Sequence, residues 1–263
     1  MLLASKTIVI IGGTSGLGES GTLACLRAGA NLVAVGRTTQ SCRRLEEVAT
    51  GPVTTLAGDG SDPETAERAI ERAISTFGGF DGLYHVAGAS GRQFGDGPLH
   101  EIPPEGWRAT LAANLDSAMY STQSALKQFL AQKSAGAILL MSSVLAHAPA
   151  PRHFATHAYA TSKAAIVGMA KSTAAFYAHH NVRLNVVAPA LVRTSMSNRA
   201  CEDPQIAEYT QIRQPLDGGR IGLPSDLDDA VVFLLSDGSR YVTGQVLSVD
   251  GGWSISDGAP PSV

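Results

Sequence analysis

Cysteine is scarce in this chain. Of 263 residues only Cys25, Cys42 and Cys201 are cysteines, widely spaced and forming no Cys-x-x-Cys. That excludes a disulfide framework and a cysteine-rich zinc site; it suits a reducing cytosol, so a cytoplasmic location is expected. Aromatics make up 6% and charged residues 16%, with a net charge of −3 and no block of like charge. Lacking a basic stripe, the chain is expected to bind neither nucleic acid nor an anionic membrane. No apolar run approaches the roughly 20 residues of a membrane span. The lead-in Met1 to Lys6 is too short for a signal peptide and runs straight into strand-like sequence. What is present is an ordinary globular composition, 44% apolar and long enough to bury a large core. A single domain over 1–263 is the expectation.

Thr7-Ile-Val-Ile-Ile11 is a continuous β-branched run, the pattern of a strand buried on both faces of a parallel sheet. Gly12-Gly-Thr14-Ser15-Gly16-Leu17-Gly18 follows it and opens a helical pattern that ends near Ala28-Gly29. In that context Gly12 permits a tight turn, Gly16 a close approach of backbone to phosphate, and Gly18 helix-against-strand packing. The free N–H groups and positive dipole end of the helix suit a pyrophosphate. No Gly-Lys-Ser/Thr follows, which excludes a nucleoside-triphosphate loop. A second strand pattern, Asn31 to Gly36, ends without a carboxylate to hold a ribose 2′-hydroxyl, and Arg37 and Thr38 come next. An arginine there can pair bidentately with a 2′-phosphate, or simply be a solvated loop cation.

The alternation continues: helix from about Gln40 to Thr50, strand Val53 to Ala57, helix to about Phe77 capped by Asp62-Pro63, strand Leu83 to Ala87. Strands alternating with helices imply right-handed crossovers and a parallel sheet. Asp59, before Gly60 at a strand's carboxyl end, can accept a bond from adenine or merely begin a helix. Residues 89–106 form a loop rich in Gly and Pro. A long helix then runs from about Pro104 to Lys133, with a kink expected near Ala112-Ala113, and it carries Asn114 in an apolar stretch. A buried amide there needs hydrogen-bond partners. Ala137 to Met141 reads as a strand with Ser142-Ser143 at its end.

Tyr159-Ala-Thr-Ser-Lys163 puts a phenol and an ammonium on one helical face. Moving a phenol from its usual pKa of ~10 by about three units takes roughly 4 kcal/mol. One ammonium at about 4 Å in an effective dielectric near 20 supplies energy of that order. The spacing alone also describes a snorkelling surface pair.

Taken in order, Gly12, Gly16, Gly18, Asn114, Ser143, Tyr159 and Lys163 make the chain resemble a classical short-chain dehydrogenase/reductase. Asn185 to Thr194, Arg220 to Pro224 and Tyr241 to Gly252 resemble later segments of the same family. The resemblance implies a three-layer α/β/α, Rossmann-type doubly wound parallel sheet of about seven strands. It implies Tyr159 as general acid/base, Lys163 lowering its pKa and holding the nicotinamide ribose, Ser143 bonding the substrate oxygen, and Asn114 holding a water. It extends the cofactor contacts to Thr14, Ser15, Leu17, Val86, Ala87, Gly88, Pro189, Val192 and Thr194. The expected cofactor is NADP(H), the substrate a small carbonyl or alcohol, the assembly a homotetramer or homodimer, and no metal is expected.

Departures are equally specific. His85-Val86 stands where the family commonly has Asn-Asn, which removes amide bonds between sheet and cofactor loop and predicts a looser junction there. Ile11 replaces a usual Thr, Ala190 a usual Gly, and the segment from Ser143 to Tyr159 is longer. His147, His153 and His157 crowd that segment without a neighbouring acid or cysteine, so loop or pocket lining is expected rather than a metal site. Phe154, Pro149, Pro151 and Met196 are candidates for an apolar pocket. An idle dinucleotide-binding sensor or scaffold, an NAD(H)-preferring dehydrogenase of the same family, and an epimerase or dehydratase built on the same Tyr-x-x-x-Lys pair are the competing readings.

Overall fold

The computed structural model describes residues 1–257. Seven strands lie side by side, all parallel: β1 (Thr7–Ile11), β2 (Asn31–Gly36), β3 (Val53–Ala57), β4 (Gly82–His85), β5 (Gly136–Met141), β6 (Val182–Pro189) and β7 (Val246–Val249). Between them run α1 (Gly16–Arg27), α2 (Thr39–Val48), α3 (Thr65–Phe77), α4 (Pro104–Leu111), α5 (Ser117–Gln132), α6 (His157–Tyr177), α7 (Asn198–Glu202), α8 (Pro204–Arg213) and α9 (Asp228–Leu235). The strand order β3-β2-β1-β4-β5-β6-β7 reverses direction between β1 and β4. Such a switch point opens a crevice at the carboxyl ends of the strands, where open α/β sheets bind ligands.

Side chains alternate across the sheet, as a period of two requires. Val9, Ile11, Val33, Val35, Ile138 and Leu140 pack under α3, α5 and α6. Ile8, Ile10, Leu32 and Leu139 face α1 and α9 on the other side. Burial on both faces explains why β1 and β5 read as unbroken apolar runs in sequence. Where a kink or break is expected, α4 gives way to a π-helical turn, Ala112–Asp116, before α5 begins. The helix expected directly after Asp62-Pro63 instead begins at Thr65, because Asp62 first accepts from the Glu64 N–H in a turn of its own.

One polar group in this core is unpaid for. Tyr84, on β4, is fully buried with its ring against Gly21, and its hydroxyl has no hydrogen-bond partner among the described residues. Burial pushes its pKa upward, with Cys25 and Asp228 adding to the effect. A buried hydroxyl left unsatisfied costs about 1–3 kcal/mol. Tyr84→Phe is therefore expected to raise unfolding free energy by about 1 kcal/mol, read from denaturant melts. A clear loss of stability would mean that the hydroxyl has a partner after all.

Candidate active site

The site is built from the loops that leave the carboxyl ends of β1, β4, β5 and β6. After β1 the chain turns through Gly12 at φ +90° and Gly16 at φ +52°, a region that side chains with a Cβ rarely adopt. Gly18 is required for packing: a Cβ there would sit 1.9 Å from the Gly12 carbonyl oxygen. At Gly16 such a Cβ would meet Thr194 Cγ2 at 3.4 Å, an ordinary contact, so the positive φ rather than lack of room favours glycine there. Ser15 precedes α1 in extended conformation and makes no side-chain cap, which leaves the first N–H groups of the helix to another acceptor. Leu17 faces the cavity beside it.

At the end of β2 the missing carboxylate has a steric cause. A Cβ on Gly36 would lie 2.1 Å from Thr14 Oγ1, and Thr14 is buried with its hydroxyl bonded to Ser41 Oγ. Arg37 is exposed and forms no ion pair among the described residues. Thr38 is exposed too, but its hydroxyl caps α2 by accepting from the Ser41 N–H at 3.1 Å. Asp59 accepts from both the N–H and the hydroxyl of Ser61, which holds its carboxyl below the ordinary range; one oxygen is thereby given to the turn. Gly60 packs against Ala87 and Ile11.

Tyr159 and Lys163 rise from the first turns of α6. The Lys163 ammonium is 3% exposed, stands 5.5 Å from the centroid of the Tyr159 ring and donates to the Met141 carbonyl at 3.1 Å. Burial drives both groups toward their neutral forms: the Tyr159 hydroxyl up to about 12, opposed by a hydrogen bond with Ser143, and Lys163 down to about 8. The expected lowering of the phenol by the ammonium is thus not what this arrangement produces by itself. Ser142 and Ser143 point apart. Ser142 Oγ donates to the Lys163 carbonyl at 2.8 Å, whereas Ser143 meets Tyr159 at the cavity wall and accepts from the Leu145 N–H.

Asn114 lies in the π-helical turn, fully buried. It donates to the carbonyls of Ala89 and Thr110 at 3.0 and 2.9 Å and accepts from the Ala89 N–H. This ties the long helix to Ala89, in the irregular segment that follows β4. A Cβ on Gly88 would stand 2.6 Å from Asn114 Oδ1 and 3.4 Å from Lys163 Nζ, so only glycine lets these groups approach. The junction expected to be loose is instead bonded. His85 Nδ1 meets Ser121 Oγ at 2.9 Å and Nε2 meets Ser117 Oγ at 3.3 Å, and Ser117 in turn donates to the carbonyls of Ala113 and Asn114. Burial first, then the Lys163 charge, pushes His85 down to about 3, so it stays neutral.

Pro189, Val192 and Thr194 line the same cavity as Ser143 and Tyr159, together with Phe154, Met196 and Trp253. Pro149 and Pro151 are not part of that lining. The three histidines disperse: His157 Nδ1 meets the Gly97 carbonyl, His153 packs on Tyr209, and His147 Nε2 lies 3.5 Å from Ser248 Oγ. Among the described residues no group of three His, Cys, Asp or Glu side chains could hold a metal ion.

Sequence reasoning missed Asp96. This buried carboxylate accepts from the N–H groups of Ala158 and Tyr159, both at 2.9 Å, and so caps α6 from a loop more than sixty residues earlier. Thr156, the residue in the usual capping position, makes no such bond. Only the run of Gly and Pro around Asp96 hinted at a structured loop. Replacing a cap costs about 0.5–2 kcal/mol. Asp96→Ala should therefore lower unfolding stability by about 1–2 kcal/mol and Asp96→Asn by less, since one acceptor oxygen remains. Denaturant melts of both variants decide it; an alanine variant as stable as the parent would show those N–H groups satisfied elsewhere.

Comparisons with known proteins bear on the family and the fold. A family model described as enoyl-(acyl carrier protein) reductase matches residues 12–254. An L-rhamnose-1-dehydrogenase from Scheffersomyces stipitis is 34% identical over 259 residues, covering 95% of this chain and 96% of that protein. A short-chain type dehydrogenase/reductase from Mycobacterium ulcerans superposes with a TM-score of 0.88 at 27% identity, over 98% of this chain and 93% of the other. A structure described as an NAD(P)-dependent gluconate 5-dehydrogenase from Beutenbergia cavernae, with NADP bound at low occupancy, gives a TM-score of 0.84 at 33% identity, over 95% and 97% of the two chains. The chain belongs to the classical short-chain dehydrogenase/reductase family of oxidoreductases.

Proposed function

We propose that this protein transfers a hydride between NADP(H) and the carbonyl or secondary-alcohol carbon of a small substrate, with Tyr159 as general acid/base. The observation that carries this reading is the meeting of the Tyr159 and Ser143 hydroxyls on one cavity wall, with the buried Lys163 ammonium behind them. The residues fit a dinucleotide. Among the described residues Lys163 Nζ donates to Met141 alone, leaving two N–H groups uncommitted, as a ribose diol requires. The uncapped N-terminus of α1, entered through the positive-φ glycine turn at Gly12 and Gly16, suits a pyrophosphate. When bound, the nicotinamide supplies or receives the hydride. Val86 to Gly88 and Pro189 to Thr194 would flank it. The names of the relatives, rhamnose and gluconate dehydrogenases, support a hydroxylated carbon as the reacting centre.

The chain's own contribution is proton management. At neutral pH a Tyr159 hydroxyl held near 12 is protonated and ready to donate to a carbonyl oxygen as negative charge develops there. Ser143 would share that charge, a role worth on the order of 10²- to 10³-fold in rate for one donor. Lys163, charged below about pH 8, favours the same developing anion from behind. Alcohol oxidation needs the phenolate, which becomes more available as pH rises toward the raised pKa. Oxidation turnover is thus expected to climb with pH through the alkaline range while reduction does not. Tyr159→Phe should leave cofactor binding in place and remove more than nine-tenths of turnover; a variant above that level at saturating substrate would overturn the role.

Arg37 carries the cofactor preference. Hydrogen bonds to charged groups contribute about 1.5–3 kcal/mol each, so even the lower figure favours NADP(H) roughly tenfold. Arg37→Ala should lower the ratio of kcat/KM for NADPH over NADH by about that factor. A parent enzyme that prefers NADH would refute the phosphate contact. Introducing Asp at position 36 is not the simple reversal that the sequence suggests, because its Cβ collides with Thr14.

A further inference from the structure

Two cations reach the cavity from separate elements. Arg92 comes from the 3-10 turn Gly91–Phe94 and Arg199 from α7, and both line the space walled by Ser143 and Tyr159. Among the described residues no aspartate or glutamate lines it. The rest of the lining is largely apolar, with Leu145, Phe154, Met196 and Trp253 among it. Neither arginine forms an ion pair among the described residues. Arg92 Nη2 reaches only the His153 carbonyl, at 3.4 Å. Asp96 attracts Arg92, but both of its oxygens are already committed to the N–H groups of α6.

The two guanidinium groups feel each other. Partial burial, then repulsion from Arg199, holds Arg92 below its ordinary pKa. Both side chains are exposed, so water screens part of that repulsion, and an anion held between them would relieve the rest. Guanidinium groups present planar forks that match carboxylate and phosphate oxygens in pairs. Arg92 is anchored: its own turn is fixed by Asp96, since Gly91 packs within contact of that side chain and the Gly91 carbonyl accepts from the Asp96 N–H.

Resting on the hydride-transfer reading above, we propose that Arg92 and Arg199 form an oxyanion subsite, and that the substrate is a carbonyl or alcohol compound bearing a carboxylate or phosphate. The anion sits at the arginines and the reacting carbon at Tyr159 and Ser143, while the apolar wall excludes water between them. Both arginines are partly solvent-exposed, so the attraction should weaken with added salt.

The test separates binding from chemistry. Calorimetry on the enzyme–NADP complex compares 3-oxobutanoate with its amide, and dihydroxyacetone phosphate with dihydroxyacetone. At least one anion should bind ten times more tightly than its neutral counterpart, and which of the two does so tells carboxylate from phosphate. Arg92→Met and Arg199→Met should each erase most of that preference, with Arg→Lys intermediate and salt acting in the same direction. Equal affinity for anion and neutral partner, or a preference that survives both methionine variants, would overturn the proposal. So would a loss of NADP affinity as large as the loss for the anion, which would reassign the arginines to the cofactor. Turnover of the same four compounds, followed through nicotinamide absorbance, tests the underlying reading separately. If the anion preference is present and no carbonyl is reduced, the hydride-transfer assignment fails while the subsite stands. If carbonyls are reduced but anion and neutral partner bind with equal affinity, the hydride-transfer assignment stands while the subsite fails.

Discussion

A buried ammonium is the constraint around which this site is arranged. Lys163 stands almost wholly out of water, and the cost of that burial appears directly in its lowered pKa. Charged groups are tolerated in such places only when hydrogen-bonded or paired. Its neighbours answer that demand piece by piece. The strand β5 ends so that the Met141 carbonyl faces the ammonium, and Ser142 bonds the Lys163 carbonyl, fixing helix to strand at the same level. Gly88 leaves out a Cβ that would crowd it, and His85 nearby remains neutral, adding no second charge.

The π-helical turn belongs to the same arrangement. A regular helix from Pro104 to Gln132 would advance Asn114 by a fixed step; the wider turn Ala112–Asp116 changes that phase and frees backbone carbonyls. Ser117 collects two of them, and His85 reaches Ser117 from the sheet. Asn114 spends its amide on Ala89 and Thr110. The result is a polar seam running from β4 through the irregular turn to the loop beyond Gly88. Its members meet backbone groups and hydroxyls, and no charged group bonds to them among the described residues.

What could be read in the sequence was local. The unbroken apolar strands, the glycine turn opening α1, the kink near Ala112-Ala113 and the shared face of Tyr159 and Lys163 all follow from periodicity or spacing. What could not be read depends on chain segments far apart. Nothing near position 158 announces that Asp96 will cap α6, because the bond joins residues more than sixty apart. The glycine at 36 reads as an absent carboxylate; only the fold shows Thr14 filling the space where a Cβ would go. His85 in place of an amide reads as a loss, since its partners Ser117 and Ser121 lie across the sheet-helix interface. Arg92 and Arg199 are unremarkable separately, and the cavity alone brings them together.

The loops that shape the cavity are each held to the frame by a few long-range polar bonds. Asp96 joins the loop beyond Gly88 to α6. Trp253 donates through Nε1 to the Ala148 carbonyl, binding the last described segment to the loop after β5. Gln214 accepts from the Leu191 N–H and donates to its carbonyl, pinning the start of the loop after β6. Most of the two apolar faces of the sheet is supplied by strands and helices, with Val192 from the loop after β6 among the exceptions. Loops fixed at a few points on a rigid scaffold are the usual place for recognition to reside. The proton-handling groups sit on the frame, at a strand end and a helix start, whereas Arg92, Phe154, Met196 and Arg199 sit in the anchored loops. A change of substrate charge or size can therefore be met by the loops alone, leaving the geometry of Tyr159, Ser143 and Lys163 untouched.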